Sequence, residues 1–191
     1  MSRRDRIRRQ HLLREAEGYL ELVEFTECGI EASDESRLQM ARRSFETLER
    51  VPRRLPANAT VYFLKARCCV LIGELPEAIR LLRRCVRRDE NNIPAWLLLS
   101  ACYRNLDRLE RAVETLEQAL GYDPDQPHIH YDLACYLSLL DHVQLAVLHL
   151  ERALDLEPKL LDRIASDHDF DAIRTDPAFR ATLRRMSCEG A

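Results

Sequence analysis

The feature that most constrains the fold is a period of 34 residues in the middle of the chain. One repeat runs from an aromatic residue to a proline, with apolar or small residues at fixed spacings: Trp96, Leu99, Tyr103, Ala112, Leu116, Ala119 and Pro124. One period forward lie His130, Leu133, Leu137, Ala146, Leu150, Ala153 and Pro158. One period back lie Tyr62, Lys65, Cys69, Ala78, Leu82, Cys85 and Glu90, where the proline and one leucine are lost. The period predicts three stacked repeats from about Ala59 to Leu160.

Within each repeat, apolar residues recur at helical spacing and are interrupted once by turn residues. These predicted turns are Gly73-Glu74, Leu106-Asp107 and Leu140-Asp141. We therefore expect each repeat to be two antiparallel helices. A small residue is needed where two helix backbones approach most closely, and the period places three alanines there: Ala78, Ala112 and Ala146.

The spacings W-x2-L-x3-Y and A-x3-L-x2-A, followed by proline, resemble the signature of the tetratricopeptide repeat family. The resemblance covers about 100 residues closely and most of the chain loosely. It implies an all-α fold, a right-handed α-solenoid of helix-turn-helix repeats with helical caps at both ends. It also implies a concave groove, lined by the first helix of each repeat, in which members of the family bind peptides or helices.

The flanks are less regular and divide the rest of the chain. Residues 1–10 are predicted to be a flexible basic arm, for which contact with nucleic acid or an acidic protein stays an alternative. Residues 11–58 are predicted to form a helical hairpin, which is a degenerate repeat or a cap, residues 59–160 hold the three repeats, and residues 161–191 should be capping helices. The tail around Asp167 resembles the end motif of bacterial tetratricopeptide arrays. It should plug the core with Phe170, Ile173 and Phe179, while its aspartates cap helices and pair with Arg174.

Composition excludes several classes of function. The 29 basic and 32 acidic residues give a formal charge of -3, which argues against a protein built to hold nucleic acid. No stretch approaches the roughly 20 apolar residues that a membrane helix needs, and the charged N-terminus lacks a secretory apolar core. Seven cysteines without a Cys-x-x-Cys pair indicate reduced thiols packed as small hydrophobes. We therefore expect a cytoplasmic protein without a membrane or nucleic-acid partner.

Counting from the signature residues identifies the side chains that should face the groove, here called the inner stripe. Its members are Phe63, Leu64, Arg67, Leu97, Leu98, Ala101, Arg104, Asn105, His128, Tyr131, Asp132 and Cys135. The run Trp96 to Leu99 is apolar almost all round its helix, so something should cover Leu97 and Leu98. A partner protein or peptide is the first hypothesis. The alternative is a structural, self-associating solenoid whose groove is filled by another copy or by its own helix from His11 to Cys28.

The residue types of the inner stripe indicate the chemistry of a ligand. Several apolar anchors beside two arginines suit a segment with apolar side chains and one or two acidic groups, and they argue against a carboxylate clamp built from many cations. His128, Asp132 and Cys135 share one helical face and could ligate zinc or form a thiol site. A structural zinc site wants four ligands and no second cluster exists, so a polar groove edge is the simpler interpretation. We expect no catalysis, no cofactor and no metal.

Overall fold

The computed structural model describes residues 3–27, 33–51 and 58–189, and these contain helices and turns with no strand. The α-helices are α1 Arg3–Glu27, α2 Asp34–Glu49, α3 Ala59–Ile72, α4 Leu75–Val86, α5 Ile93–Asn105, α6 Leu109–Leu120, α7 Pro127–Leu139, α8 Val143–Leu156, α9 Leu161–Ile164 and α10 Pro177–Glu189. Two 3-10 helices, Pro158–Leu160 and His168–Ile173, flank α9. The predicted all-α fold of helix-turn-helix repeats is confirmed.

The three repeats turn at equivalent positions. Gly73, Asp107 and Asp141 lie one period apart, and all have positive φ, at 88°, 56° and 60°. At each turn the next amide donates a hydrogen bond to a carbonyl five residues back, over 2.8 to 3.0 Å, as from Glu74 to Cys69. This closes the first helix of each repeat in the manner of a Schellman motif.

The alanines of the period occupy equivalent buried sites. Ala78, Ala112 and Ala146 each have a relative exposure of 0%. Each lies on the second helix of its repeat, where α4 packs on α3 and α8 packs on α7. A larger side chain at any of these positions would force the two helices apart, as the spacing predicted.

The chain forms two compact units, Met1–Ala95 and Trp96–Ala191, and the division passes through the stretch predicted as three repeats. In the N-terminal unit, α1 packs on α2 and α3, with Ala16 and Leu20 buried beside Leu48, Leu64 and Cys68. The Ser44 hydroxyl donates a hydrogen bond to the Ala16 carbonyl over 2.9 Å, so this buried polar group is satisfied.

The first helix differs from the expectation of a basic arm, because α1 begins at Arg3. No glycine or proline lies between Arg3 and Leu12, and arginine is a good helix former. Once Leu12 and Ala16 are buried against the unit, the helix extends back through the arginines without a break. Within the predicted hairpin of residues 11–58, residues 28–32 and 52–57 lie outside the described residues.

The C-terminal unit ends as the tail motif predicts. Phe170, Ile173 and Phe179 are at most 1% exposed. The Asp167 and Asp176 carboxylates cap the helices that follow them, accepting hydrogen bonds from the amides of Asp169 and Ala178. The predicted plug is confirmed, and so is the pairing of Arg174, whose Nε donates to Asp171 over 2.7 Å.

Candidate functional site

The inner stripe in the N-terminal unit lies on α3. Leu64 is only 3% exposed and belongs to the core beneath α1, so it is not accessible to a ligand, although the periodic count placed it in the inner stripe. Phe63 and Arg67 are partly exposed one turn apart, with the guanidinium carbon 6.0 Å from the centroid of the phenyl ring. This cation–π contact holds a flat apolar group and a positive charge next to each other at the surface of α3.

The inner stripe in the C-terminal unit begins on α5. Trp96 and Leu99 are buried, and the indole stacks on the Tyr122 ring with centroids 5.9 Å apart. Leu97, Leu98 and Ala101, on the remaining part of the helix circumference, are partly exposed, and Asn105 is exposed. The predicted run of apolar residues round α5 therefore leaves two leucines incompletely covered.

On α7, the inner stripe is covered by the chain's own tail. Tyr131 and Cys135 are 1% and 3% exposed. The Tyr131 hydroxyl donates a hydrogen bond to Asp167 over 2.8 Å, and its ring meets Phe170 edge to face at a centroid distance of 5.7 Å. The Cys135 sulfur lies 3.8 Å from the same Asp167 carboxylate. These two side chains therefore belong to the packing of the tail and are not available to a ligand.

Two arginines complete the network around the tail. Arg104, at the end of α5, donates a charge-assisted hydrogen bond to Asp169. The guanidinium of Arg163 lies 4.7 Å from the centroid of the Tyr131 ring. Asp167, Asp169 and Arg163 are contact residues that the sequence did not identify as partners of the inner stripe. Both aspartates belong to the tail motif. However, Asp167 lies 36 residues from Tyr131 and Asp169 lies 65 residues from Arg104, so local spacing could not indicate these pairs.

Burial sets the ionisation of this region. Loss of solvent raises the pKa of the Tyr131 hydroxyl and of the Cys135 thiol far above their usual range, so both groups are neutral at physiological pH. Burial likewise raises the pKa of Asp132 to about 6, against the opposing effect of the Arg163 charge. The buried thiols Cys69, Cys85 and Cys102 have pKa values raised to about 11 by the same cause. A protonated thiol is a poor nucleophile and a poor metal ligand.

The structure separates the residues considered for a zinc or thiol site. His128 is exposed, with its ring 3.6 Å from the Glu157 carboxylate. The Cys135 sulfur instead shares a space less than 4.8 Å across with Asp167 and Asp169. Both carboxylates already accept hydrogen bonds, from Tyr131 and from Arg104, so this cluster binds the tail to α7 and α5.

No helix within the described ranges is both long enough and apolar enough to cross a lipid bilayer. A comparison with curated protein sequences gives no match.

Solved structures share the fold at low sequence identity. A crystal structure of MamA matches with a TM-score of 0.60 and 16% identity, over 85% of this chain and 98% of that chain. Another crystal structure of MamA protein gives a TM-score of 0.62 at 15% identity, over 92% of this chain and 91% of the other. YrrB, described as a TPR protein with an unusual peptide-binding site, gives 0.58 at 16% identity, over 82% and 84%.

Two family models, both described as tetratricopeptide repeat, match residues 29–93 and 73–134. Together they extend from residue 29 to residue 134 of the 191, which includes the first two repeats of the 34-residue period and part of the third. The signature spacings, the three equivalent turns, the family models and the shared fold agree, and the chain belongs to the tetratricopeptide repeat family.

Proposed function

We propose that the chain is a protein-interaction module that binds a peptide or helix of a partner protein through the accessible part of the inner stripe. Each unit offers its own accessible part. Phe63 and Arg67 form it in the N-terminal unit. In the C-terminal unit it comprises Leu97, Leu98, Ala101, Arg104 and Asn105, with the exposed His128 and the partly exposed Asp132. The observation that carries the proposal is the incomplete cover of Leu97 and Leu98 on a helix whose Trp96, Leu99 and Cys102 are buried. Apolar side chains left uncovered on a surface commonly mark an interaction site.

The contacts of the tail support the predicted chemistry of the ligand. The tail sets an acidic group against Arg104 and an aromatic ring against Tyr131. An external segment that combines apolar anchors with one or two carboxylates would make the same kinds of contact with Leu97, Leu98 and Arg104 in the C-terminal unit. Phe63 and Arg67 offer the same two kinds of group in the N-terminal unit. YrrB, which shares the fold, carries a peptide-binding site, and this agrees with the proposal.

The same proposal describes a non-catalytic adaptor or scaffold of the bacterial cytoplasm without a nucleic-acid partner. The resemblance of the tail to bacterial arrays and the formal charge of -3 support these finer statements. The raised pKa values of the buried thiols count against nucleophilic chemistry at Cys135.

The test compares two leucine substitutions in the same unit. Peptides are selected from a random displayed library on the wild-type chain, and their affinities are measured by fluorescence anisotropy. Leu98→Asp should lower the affinities of these peptides about tenfold or more, because burying one leucine contributes about 1.5–3 kcal/mol. Leu148→Asp makes the same change at a side chain that is 59% exposed on α8, outside the inner stripe, and should leave the affinity unchanged.

Circular dichroism establishes that both variants keep their helices. A photo-crosslinking residue placed at position 98 and at position 148 gives a second measurement that does not depend on the charge substitution. We expect the peptide to be labelled from position 98. Equal affinity for wild type and Leu98→Asp, together with labelling from position 148 alone, would refute the proposed surface.

A further inference from the structure

The start of α1 is rich in positive charge. Residues 3–15 contain six arginines and two carboxylates, although the whole chain has a formal charge of -3. Arginines in the first turns of a helix oppose the positive end of its dipole, and Arg4 and Arg8 form a like-charged pair one turn apart. Both features disfavour the isolated helix, so their presence needs a reason other than the stability of α1.

These charges surround a concave surface, here called the basic cleft. One face of α1 lines the cleft, and its residues recur at helical spacing at positions 3, 4, 7, 8, 11, 12 and 15. Arg50, which follows α2, lines the cleft as well, and the volume of this open cleft is about 780 Å³. Among the described residues, no carboxylate lies within ion-pair distance of the Arg4 or Arg8 guanidinium.

The basic cleft also contains apolar side chains. Leu12 is 3% exposed at its base, while Ile7 is 57% exposed and extends into solvent. Ile7 and His11 also line a neighbouring hollow of about 440 Å³ on the same helix, together with Gln10 and Arg14. An exposed isoleucine between two hollows, with arginines on either side, offers both an apolar contact and charge-assisted hydrogen bonds.

We propose that the basic cleft binds an acidic segment of a partner protein, in which carboxylates flank an apolar side chain. The site is separate from the inner stripe and does not depend on the function proposed for it. Charge complementarity selects the carboxylates, and the exposed Ile7 beside the cleft selects the apolar side chain.

Two other anionic partners fit the basic cleft less well. No phenylalanine, tyrosine or tryptophan is among the residues that line it, and the imidazole of His11 is a small platform for stacking a nucleic-acid base. A membrane surface would attract the arginines, but it would not enter a concave space between α1 and the end of α2. These partners are therefore outcomes that the experiment must distinguish.

The experiment uses the full chain and a fluorescein-labelled capped octapeptide of six glutamates and two leucines, with anisotropy as the measurement. Arg4→Glu combined with Arg8→Glu should weaken binding about tenfold or more, since two charge-assisted contacts are lost and two repulsions appear. Glutamate near a helix N-terminus favours the helix, so α1 should remain folded. The matched control is Arg83→Glu with Arg87→Glu, an exposed pair with the same spacing and the same change of charge.

Three further measurements test the identity of the ligand. Replacing the leucines of the probe by glutamines, or making Ile7→Gln, should weaken binding several-fold, and Leu98→Asp should have no effect. Equal binding by the Arg4/Arg8 variant and wild type would overturn the proposal. Tighter binding of an oligothymidylate or of phosphatidylserine vesicles than of the peptide, lost in the same variant, would also overturn it.

Discussion

Truncation of Phe170 to alanine should destabilise the C-terminal unit strongly. The side chain is fully buried, with its ring 5.7 Å from Tyr131 at an interplanar angle of 86° and 5.6 Å from Phe179. Phe→Ala in a packed core costs about 3–5 kcal/mol, which includes the cavity and roughly 0.5–1.5 kcal/mol for each aromatic pair. For a chain of this length, such a loss lowers the melting temperature by about 6–20 °C.

The chain contains a single tryptophan, Trp96, which is buried in the same unit and stacked on Tyr122. Its fluorescence during urea unfolding therefore reports the stability of the unit that Phe170→Ala perturbs. Phe170→Leu fills most of the space and loses mainly the two ring contacts, so it should cost about 1–3 kcal/mol, less than Phe170→Ala. Leu148→Ala, at a largely exposed side chain of the same unit, should change the stability by no more than about 0.5 kcal/mol.

A loss of less than about 1 kcal/mol for Phe170→Ala would refute this account of the tail. The result would mean that Tyr131 and Phe179 pack equally well without the ring, and that the tail is not an integral part of the core. Tyr131 and Cys135 would then have to be returned to the set of residues open to a ligand.

Three more substitutions test the turn at Gly73 and the carboxylate of Asp132. Gly73→Ala should cost about 1 kcal/mol in urea unfolding, because the added Cβ meets no atom within 4 Å and only the backbone at φ 88° resists it. Gly73→Asp should cost less, since aspartate already holds φ 56° and 60° at positions 107 and 141, and an equal cost would contradict this reasoning. Asp132 has a pKa raised from 3.8 to about 6, so its charge destabilises the fold above about pH 6 and this penalty disappears below about pH 4. Asp132→Asn should therefore raise the free energy of unfolding by about 1–3 kcal/mol at pH 8 and change it little at pH 4. No gain in stability at pH 8 would contradict the conclusion that loss of solvent destabilises the charged form of Asp132.

The features that depend on local spacing could be predicted from the sequence. The turns at Gly73, Asp107 and Asp141 and the buried alanines follow from one period, because a turn needs particular residues and a close helix contact needs a small side chain. The tail plug was also predicted, since Phe170 and Phe179 stand in a recognisable motif with capping aspartates.

Contacts between residues far apart in the chain could not be predicted in the same way. The periodic count placed Tyr131 and Cys135 on the groove side of α7, but it gave no information on which segment returns to cover that side. Leu64 was misplaced for the same reason, because the position of α1 decides whether this leucine is core or surface. At the N-terminus the arginine run suggested a solvated arm, although the burial of Leu12 and Ala16 is enough to continue the helix to Arg3.

The tail also explains why the accessible part of the inner stripe in the C-terminal unit lies mainly on α5. Asp167 and Phe170 contact Tyr131 of α7, and Asp169 binds Arg104 of α5, so these two inner-stripe side chains are already paired with the tail. Leu97 and Leu98 have no equivalent partner in the tail contacts and stay partly exposed. A ligand of this unit must therefore gain its affinity mainly from apolar contact with α5, since any carboxylate it carries would have to compete with Asp169 for Arg104. For this reason, substituting a leucine of α5 should lower the affinity for a peptide more than removing one of the peptide's carboxylates does.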